Sequence, residues 1–263
     1  MKKLPKISIV IPSFNKALFI GETLSSIFSQ NYSNLEVIVQ DGGSRDRTIE
    51  IIKKYARKYP EIISWESKKD KGQVDAINKG LSKATGDIVT YINADDVYKK
   101  GALLEVGRYF AKHPKTFWVA GKGEIIDLKG KVISSLVTDY KNFLLSQNKY
   151  ELLLMVNYLM QPSVFLSMKA YQKFGPFTGR KPSVMEYDLW LKLGKKQMPK
   201  IIDKILSSFR LYKGSISTRE FKKVLVADEE IAEKYTQNPL ILLLHYLHNV
   251  GRTVAAEFFN KNV

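Results

Sequence analysis

The N-terminal third of the chain alternates between short apolar runs and segments whose apolar residues recur at helical spacing. Residues 7–11 and 35–39 are β-branched runs typical of buried strands. Helical spacing follows each run and recurs over residues 73–83, before another strand-like run at 87–92. Strands and helices that alternate with short connections predict a doubly wound, mostly parallel α/β sheet.

Turn-forming and acidic residues stand at three of the predicted strand ends. They occupy residues 12–15, 41–44 and 93–96. Ligands of doubly wound sheets bind at the carboxyl ends of the strands, so we expect these three segments to line one crevice.

The composition limits the chemistry available in that crevice. The 263 residues include three histidines and no cysteine, which excludes a thiolate nucleophile and leaves mainly oxygen ligands for a metal. Oxygen ligands favour hard cations. The formal net charge of +16 indicates a surface that attracts nucleic acid, phosphate-bearing substrates or an anionic membrane leaflet. The N-terminus has no apolar stretch long enough for a signal peptide or a spanning helix, so we expect a cytoplasmic protein.

The second half of the chain has a less regular pattern. We expect strands over residues 116–120, 131–136, 162–167 and 200–212, and helices over residues 150–159, 169–174 and 187–194. Two further helices, separated near Asn238 and Pro239, should complete the chain.

The strongest candidate site is the segment Asn93-Ala94-Asp95-Asp96, which follows an apolar strand. Carboxylates at a strand end can hold Mg²⁺ or Mn²⁺ against a diphosphate, and the small side chain of Ala94 allows close approach. The alternative is that Asp95 and Asp96 only cap the helix that follows.

Asp41 begins a second candidate, the turn Asp41-Gly42-Gly43-Ser44. Glycines let the backbone turn tightly, and an aspartate at a strand end can accept hydrogen bonds from a base or a ribose. The alternative is a tight turn in which Ser44 or Asp46 caps the next helix.

These segments and several others resemble, in the same order, the motifs of the family 2 glycosyltransferases with the GT-A fold. The matching stretches are residues 9–15, 41–46, 70–80, 85–88, 93–96, 161–163 and 186–191. Several are individually common, but the ordered set is specific. The resemblance implies transfer of a sugar, with inversion at its anomeric carbon, from a nucleotide diphosphate donor to an acceptor hydroxyl. In this family the donor is most often linked to UDP.

The resemblance also implies a set of donor-side residues. It places the nucleotide and the donor sugar against Pro12, Ser13, Asn15, Asp41, Gly43, Asp70, Lys71, Gly72, Asp75, Asn93 and Ala94. It places Mg²⁺ or Mn²⁺ on Asp95, since asparagine stands at the first position of the family's metal motif. Arg210 and Lys213 lie in a segment like the one that closes over the donor in relatives, many of which have histidine where Tyr212 stands. These cations would stabilise charge on the diphosphate, or they are ordinary solvated residues.

On the acceptor side, the resemblance implies a carboxylate that takes the proton from the acceptor hydroxyl. We predict Glu186 in this role, with Asp188 as the alternative. Both acids are also explained by the helix macrodipole, which favours them in a first turn. Gln161 and Trp190 are expected beside the acceptor, although Gln161 also suits a buried structural role.

We expect a catalytic domain over residues 1–215, with a nucleotide-binding half at 1–98 and an acceptor-side half at 99–215, and a helical extension at 216–263. The acceptor would be a lipid-linked or polymeric glycan. The apolar stretch 240–250 is too short to span a bilayer. It can pack on the domain, dimerise or rest against the inner face of the cell membrane, toward which the basic charge would draw the enzyme.

Two other functions stay open. In a catalytically inactive sugar-nucleotide binder, the asparagine at position 93 would reflect lost metal chemistry. A nucleic-acid-binding protein would use the basic charge and the many tyrosines and phenylalanines. The basic residues are scattered and no nucleic-acid-binding motif accompanies them, so we expect no nucleic-acid partner.

Overall fold

The computed structural model describes residues 4–133, 135–178, 184–215 and 221–260. Its strands are β1 Ile7–Ser13, β2 Leu35–Asp41, β3 Ile63–Ser67, β4 Ile88–Tyr91, β5 Val97–Tyr98, β6 Trp118–Ile126, β7 Val132–Ile133, β8 Val164–Ser167 and β9 Lys200–Arg210. Its α-helices are α1 Ile20–Phe28, α2 Thr48–Lys58, α3 Gln73–Lys83, α4 Ala102–Lys112, α5 Ser135–Gln147, α6 Tyr150–Met155, α7 Met168–Phe174, α8 Met185–Lys196, α9 Phe221–Tyr235 and α10 Pro239–Asn260. A short 3₁₀ helix, Gln161–Ser163, precedes β8.

The strands form one mixed sheet in the order β3-β2-β1-β4-β8-β6-β9-β5, with β7 paired to β6. Strand β1 is parallel to β2 and β4, and β2 is parallel to β3. Strand β8 is antiparallel to β4 and β6, whereas β6 and β9 are parallel. The carboxyl ends of β1 to β4 therefore lie along one edge, where ligands of such sheets bind.

Both faces of the parallel part of the sheet are covered. Ile9 and Ile11 of β1 belong to a core that includes residues of α1, α2 and α4. Val10, between them, belongs to a larger core with residues of α3 and α8. Successive side chains of a strand point to opposite faces, so this division is what a doubly wound sheet requires. The α/β fold predicted from the sequence is confirmed.

Helix α3 lies directly on β1 because Gly80 has no side chain. A Cβ at this position would stand 2.3 Å from Val10 Cγ1. Since α3 connects the parallel strands β3 and β4, it runs antiparallel to them and begins at the carboxyl-end edge. The turn before α3 is thereby brought to the crevice.

The region between β6 and β8 differs most from the sequence prediction. Instead of a strand over residues 131–136, the structure has the two-residue β7 and then the 13-residue helix α5. The large apolar residues of α5 that are exposed to solvent are Leu136, Val137, Tyr140 and Phe143. A helix is predicted from apolar residues that recur on its buried face. In α5, apolar residues also occupy the exposed face, so the sequence did not show the helical pattern. Helix α6 also ends early, at Met155.

The two C-terminal helices are separated near Asn238, as predicted. The residues that they contribute to the larger core are Val224, Ala227, Ile231 and Ile241. The opposite face of α10 is exposed and includes Leu240, Leu243 and Leu247. Within the described ranges, no helix is both long and apolar enough to cross a membrane.

Candidate active site

The turn after β2 is built around the carboxylate of Asp41. This side chain is buried and accepts hydrogen bonds from the backbone N–H groups of Gly43, at 3.0 Å, and Ser44, at 2.8 Å. The hydroxyl of Ser67 on β3 donates to it at 2.7 Å. Gly43 has a φ of 85°, which residues with a side chain disfavour. Asp41 therefore shapes the turn, and its contact with a base stays a prediction.

A second turn, before α3, meets the first. Asp70 accepts a hydrogen bond from Gly72 N–H at 2.8 Å, and Asp75 accepts one from Lys71 N–H at 3.0 Å. A Cβ at Gly42 would lie 2.8 Å from Asp70 Oδ2, so the two turns are in contact. A pocket of about 130 Å³ between them is lined by Gln40, Asp41, Glu66, Lys68, Asp70, Ala76 and Lys79. Two predicted donor residues thus share one pocket.

The loop after β1 is fastened to the loop after β2. Asn15 N–H donates to Ser44 Oγ at 2.8 Å, and the Asn15 side chain accepts from Arg45 N–H at 2.9 Å. Pro12 and Ser13 are buried at the end of β1. The Ser13 hydroxyl has no hydrogen-bond partner within the described part of the chain. These contacts bring the predicted residues of β1 and β2 together.

Within the segment 93–96, Asn93 is half-buried and the other three residues are buried. Asn93 accepts a hydrogen bond from Gln73 Nε2 at 2.6 Å and donates to Asp96 Oδ2 at 3.0 Å. Ala94 is buried. Asp96 is fully buried, and burial, together with the neighbouring charge of Asp95, holds its pKa well above the ordinary value. Asp95 is 8% exposed and Asp96 is not exposed at all, so Asp95 is the better candidate of the two acids for contact with a ligand.

The carboxylate of Asp95 contacts two side chains. Lys16 Nζ forms an ion pair with Oδ2, and the Tyr212 hydroxyl donates to the same oxygen at 2.9 Å. Among the residues that the structure describes, no three histidine, aspartate or glutamate side chains are grouped as a complete metal site. Mg²⁺ is commonly held by one or two carboxylates and the phosphates of its substrate. Asp95 fits the role of a single protein ligand that shares the ion with a diphosphate.

Glu186 lies in the first turn of α8, against the last residue of β4. The Tyr91 hydroxyl donates to Glu186 Oε1 from 95 residues earlier in the chain. Removal from water raises the pKa of Glu186 to about 7, with the Tyr91 hydrogen bond opposing the rise and the charge of Asp228 adding to it. A carboxyl group that titrates near neutrality is suited to general-base catalysis.

Asp188, the alternative base, is surrounded by structural partners. Its carboxylate accepts hydrogen bonds from Thr178 at 3.0 Å and Tyr235 at 2.8 Å, and it pairs with Lys192 at 2.6 Å. Burial acts to raise the pKa of Asp188, but the bonds from Lys192, Tyr235 and Thr178 outweigh it and lower the pKa. Because these partners already occupy the carboxylate of Asp188 and lower its pKa, Glu186 is the better candidate for the base.

The structure contradicts the acceptor-side role predicted for Trp190, and it places the side chain of Gln161 against the end of β4. Trp190 is 2% exposed and stacks on Trp118 with ring centroids 5.5 Å apart, so it is a core residue and cannot contact an acceptor. Gln161 Nε2 donates to the Tyr91 carbonyl at 2.8 Å. Its Oε1 is buried and has no hydrogen-bond partner in the described ranges.

Arg210 is also placed in the interior, contrary to its predicted contact with the diphosphate. It is 2% exposed, and its guanidinium donates to the carbonyls of Asp95 and Asp127 at 2.8 and 3.0 Å. It also pairs with Glu22 at 2.6 Å. These bonds hold the end of β9 against the loops beside it. Lys213, by contrast, is exposed.

Two residues of the site, Lys16 and Tyr91, were not predicted from the sequence. A tyrosine within an apolar strand suggests core packing, and nothing local connects Tyr91 with Glu186. Lys16 directly follows the stretch 9–15 that carries the resemblance, and this position was the available signal.

Comparison with known proteins agrees with the fold and with the family resemblance. The family model described as "Glycosyl transferase family 2" matches residues 8–174. An uncharacterized glycosyltransferase of Nostoc sp. is 31% identical over 105 residues, which are 40% of this chain and 33% of that protein. The aligned part thus spans about a third of the length of this relative.

Two solved structures share the fold. A mannosyltransferase from Pyrobaculum calidifontis in complex with GDP-Man and Mn²⁺ has a TM-score of 0.73 at 20% identity, over 97% of this chain and 74% of that chain. S. aureus TarS in complex with UDP-GlcNAc has a TM-score of 0.60 at 17% identity, over 86% of this chain and 66% of that chain. Because the family model covers more than half of the chain, the protein belongs to glycosyl transferase family 2.

Proposed function

We propose that this protein transfers a sugar from a UDP-linked donor to a hydroxyl of a lipid-linked or polymeric glycan, with inversion at the anomeric carbon. The observation that carries the proposal is the Tyr91–Glu186 pair. It joins a carboxyl group with a pKa of about 7 to the strand that leads into Asp95. This contact supports a proposal in which Glu186 is the base and Asp95 is the donor-side acid.

The proposed reaction is a direct displacement. Glu186 takes the proton of the acceptor hydroxyl while the hydroxyl oxygen forms a bond to the anomeric carbon. The bond from that carbon to the diphosphate breaks, and the nucleoside diphosphate leaves with the electron pair. Attack opposite the leaving group inverts the anomeric configuration. Asp41, Asp70 and the loop at Asn15 would position the nucleotide.

Asp95 would hold Mg²⁺ or Mn²⁺ together with oxygens of the diphosphate. A divalent ion bound there supplies positive charge that stabilises the departing diphosphate. The Pyrobaculum mannosyltransferase was solved with GDP-Man and Mn²⁺, which supports testing manganese first. Exposed Lys213 stays a candidate for a further contact with the donor.

A panel of nucleotide sugars tests this proposal. We expect a UDP-sugar to raise the melting temperature and to be hydrolysed slowly in the presence of Mn²⁺. Asp95→Ala should abolish turnover, because it removes the single carboxylate ligand. Donor binding that is unchanged by EDTA, without hydrolysis or transfer under any condition, would support an inactive sugar-nucleotide binder instead.

We also propose peripheral contact with an anionic membrane. Leu243 and Leu247 of α10 are each 52% exposed, and Phe143 of α5 is 61% exposed. The rings of Tyr140 and His248 lie 5.9 Å apart, so the two helices adjoin. Contiguous exposed apolar surface is typical of interaction sites, and a net charge of +16 complements an anionic leaflet.

Flotation with phosphatidylglycerol-containing vesicles at low salt tests this contact. We expect the wild type to float and the Leu243→Glu/Leu247→Glu variant to remain in the aqueous phase, because charged side chains are costly in the membrane interface. If the wild-type protein did not float with these vesicles, the proposed membrane contact would be contradicted.

A further inference from the structure

An ammonium group lies directly on the acid of the metal motif. Lys16 Nζ forms an ion pair with Asp95 Oδ2 and donates to the Tyr212 hydroxyl at 2.8 Å. The side chains of Lys16 and Asp95 are 26% and 11% exposed. Charges so withdrawn from water interact more strongly than a surface pair, and each needs a partner.

The backbone of the loop after β1 directs Lys16 toward this position. Lys16 N–H donates to Thr48 Oγ1 at 2.8 Å, and Ala17 N–H donates to Asp46 at 3.1 Å. Both acceptors lie at the start of α2, so two consecutive N–H groups are fixed by a neighbouring element. The lysine therefore reaches across the strand ends, from the loop after β1 to the acid that follows β4.

Tyr212 completes the group and suits a lysine better than a metal. Its ring packs on Phe19 with centroids 4.9 Å apart, and Lys16 Nζ lies 5.4 Å from the Tyr212 ring centroid. A phenol is neutral at physiological pH and readily accepts a hydrogen bond from an ammonium group, whereas divalent cations prefer charged oxygens. The site thus offers a divalent ion a single carboxylate and offers Lys16 two polar partners.

Departure of Lys16 from Asp95 would leave two uncompensated charges unless each found a new partner. A nucleoside diphosphate with its divalent ion supplies both. We propose that Lys16 is a donor-binding residue that changes partners. It neutralises Asp95 before the donor enters, then binds a phosphate oxygen of the nucleoside diphosphate while Asp95 turns to the metal. This inference rests on the proposed donor class.

The proposal predicts that Lys16 supports nucleotide binding most strongly when metal is absent, because its ammonium group must then offset the charges of both Asp95 and the diphosphate. Calorimetric titration of UDP and GDP, with Mn²⁺ and with EDTA, measures this for the wild type and for Lys16→Met. In EDTA we expect Lys16→Met to weaken binding about 10- to 100-fold, the size of one lost charge-assisted hydrogen bond. With Mn²⁺ the loss should be several times smaller, because the ion holds the phosphates.

Three further variants serve as controls. Lys16→Arg keeps the charge and should retain most of the binding in EDTA. Lys16→Gln repeats the removal of charge with a polar side chain, and its melting temperature shows whether the loop still folds. Lys54→Met removes an exposed lysine of α2 and should bind as the wild type does.

The ratio of the dissociation constants in EDTA and in Mn²⁺ is the decisive readout. A ratio that rises in Lys16→Met and Lys16→Gln supports the inference. An unchanged ratio, whether binding is intact or uniformly weakened, overturns it and assigns Lys16 a structural role. A wild type that binds neither nucleotide in either condition would contradict the proposed donor class as well, so the two failures are distinguishable.

Discussion

The turns that carry Asp41 and Asp70, on the candidate donor side, and the surroundings of Glu186, on the candidate acceptor side, are assembled by different kinds of contact. In these turns the carboxylates accept hydrogen bonds from N–H groups of nearby residues, as Asp41 does from Ser44. On the acceptor side, Glu186 bonds to Tyr91 across 95 residues of chain. Local turns form wherever their residues allow, whereas the environment of Glu186 exists only in the packed structure. Local geometry therefore shapes the turns of the candidate donor side, whereas tertiary packing sets the pKa of the candidate base.

Replacement of the candidate base should have the largest effect. We expect Glu186→Gln to lower kcat about 10²- to 10⁴-fold, the usual contribution of general-base catalysis. Donor binding should change little, because the donor-side turns do not depend on this side chain. Steady-state kinetics and donor titration measure the two quantities separately. Asp188→Asn is the matched control. A greater loss of kcat in this variant than in Glu186→Gln would identify Asp188 as the base instead.

The pH dependence of the reaction tests how the acceptor side is tuned. Glu186 must be ionised to act as a base, so wild-type activity should rise with pH through about 7. The Tyr91 hydrogen bond favours the ionised carboxylate. Tyr91→Phe should therefore move the rise to higher pH, by about one pH unit or less for one lost hydrogen bond. Recovery of activity at alkaline pH would separate this effect from misfolding, and an unshifted profile would contradict it.

Loss of the hydrogen bond between Tyr235 of α9 and Asp188 of α8 should reduce the stability of the protein moderately. Tyr235→Phe removes the hydroxyl that donates to Asp188 Oδ1 at 2.8 Å. We expect the free energy of unfolding to fall by about 1–2 kcal/mol, because the buried carboxylate loses a hydrogen bond. Denaturant titration measures the change, with Tyr246→Phe as the control at an exposed position of α10. Equal stability of the two variants would show that Asp188 does not depend on the C-terminal helices.

The smallest expected effect lies in the parallel sheet, at the start of β2. Glu36 accepts hydrogen bonds from Ser8, Thr85 and Lys6, and although burial opposes them, they lower its pKa to about 2. Because the folded-state pKa is below the unfolded one, ionised Glu36 stabilises the protein above about pH 4.3, the unfolded value. We expect Glu36→Gln to cost about 1 kcal/mol at pH 7, after allowance for solvent screening.

The pH dependence distinguishes this ionic contribution from a simple packing defect. The stability difference between wild type and Glu36→Gln should shrink as the pH falls from about 4 toward 2, because wild-type Glu36 becomes protonated. Thermal unfolding across that range, with kcat unchanged at pH 7, is the measurement. A difference that persists at low pH would point to packing.

The elements that carry the candidate donor residues could be predicted from the sequence because their signals are local. The strands at residues 7–11 and 35–39, the helix over 73–83 and the acids at the strand ends all lie in one regular pattern. The resemblance adds Glu186, whose pKa is consistent with the predicted role. The strands, the helix and the acids at the strand ends require only that neighbouring residues adopt the expected element.

The errors share a physical cause. Trp190 and Arg210 have residue types common at binding sites, but the helix and strand that carry them turn both side chains inward. Sequence spacing shows which residues share a face of a helix or strand, but whether that face is buried depends on the packing of the core. Helix α5 was missed because most of its large apolar residues face solvent.

By itself, the sequence determined the alternation of strands and helices, the acids at the strand ends and the order of the family's motifs. Only the tertiary structure decided that Tyr91 meets Glu186, that Lys16 meets Asp95 and that Asp188 is held by partners from other segments. Secondary structure and turns depend on short-range preferences of the chain. Desolvation and charge pairing depend on which distant segments exclude water from a side chain, and that is settled only when the sheet and its helices pack.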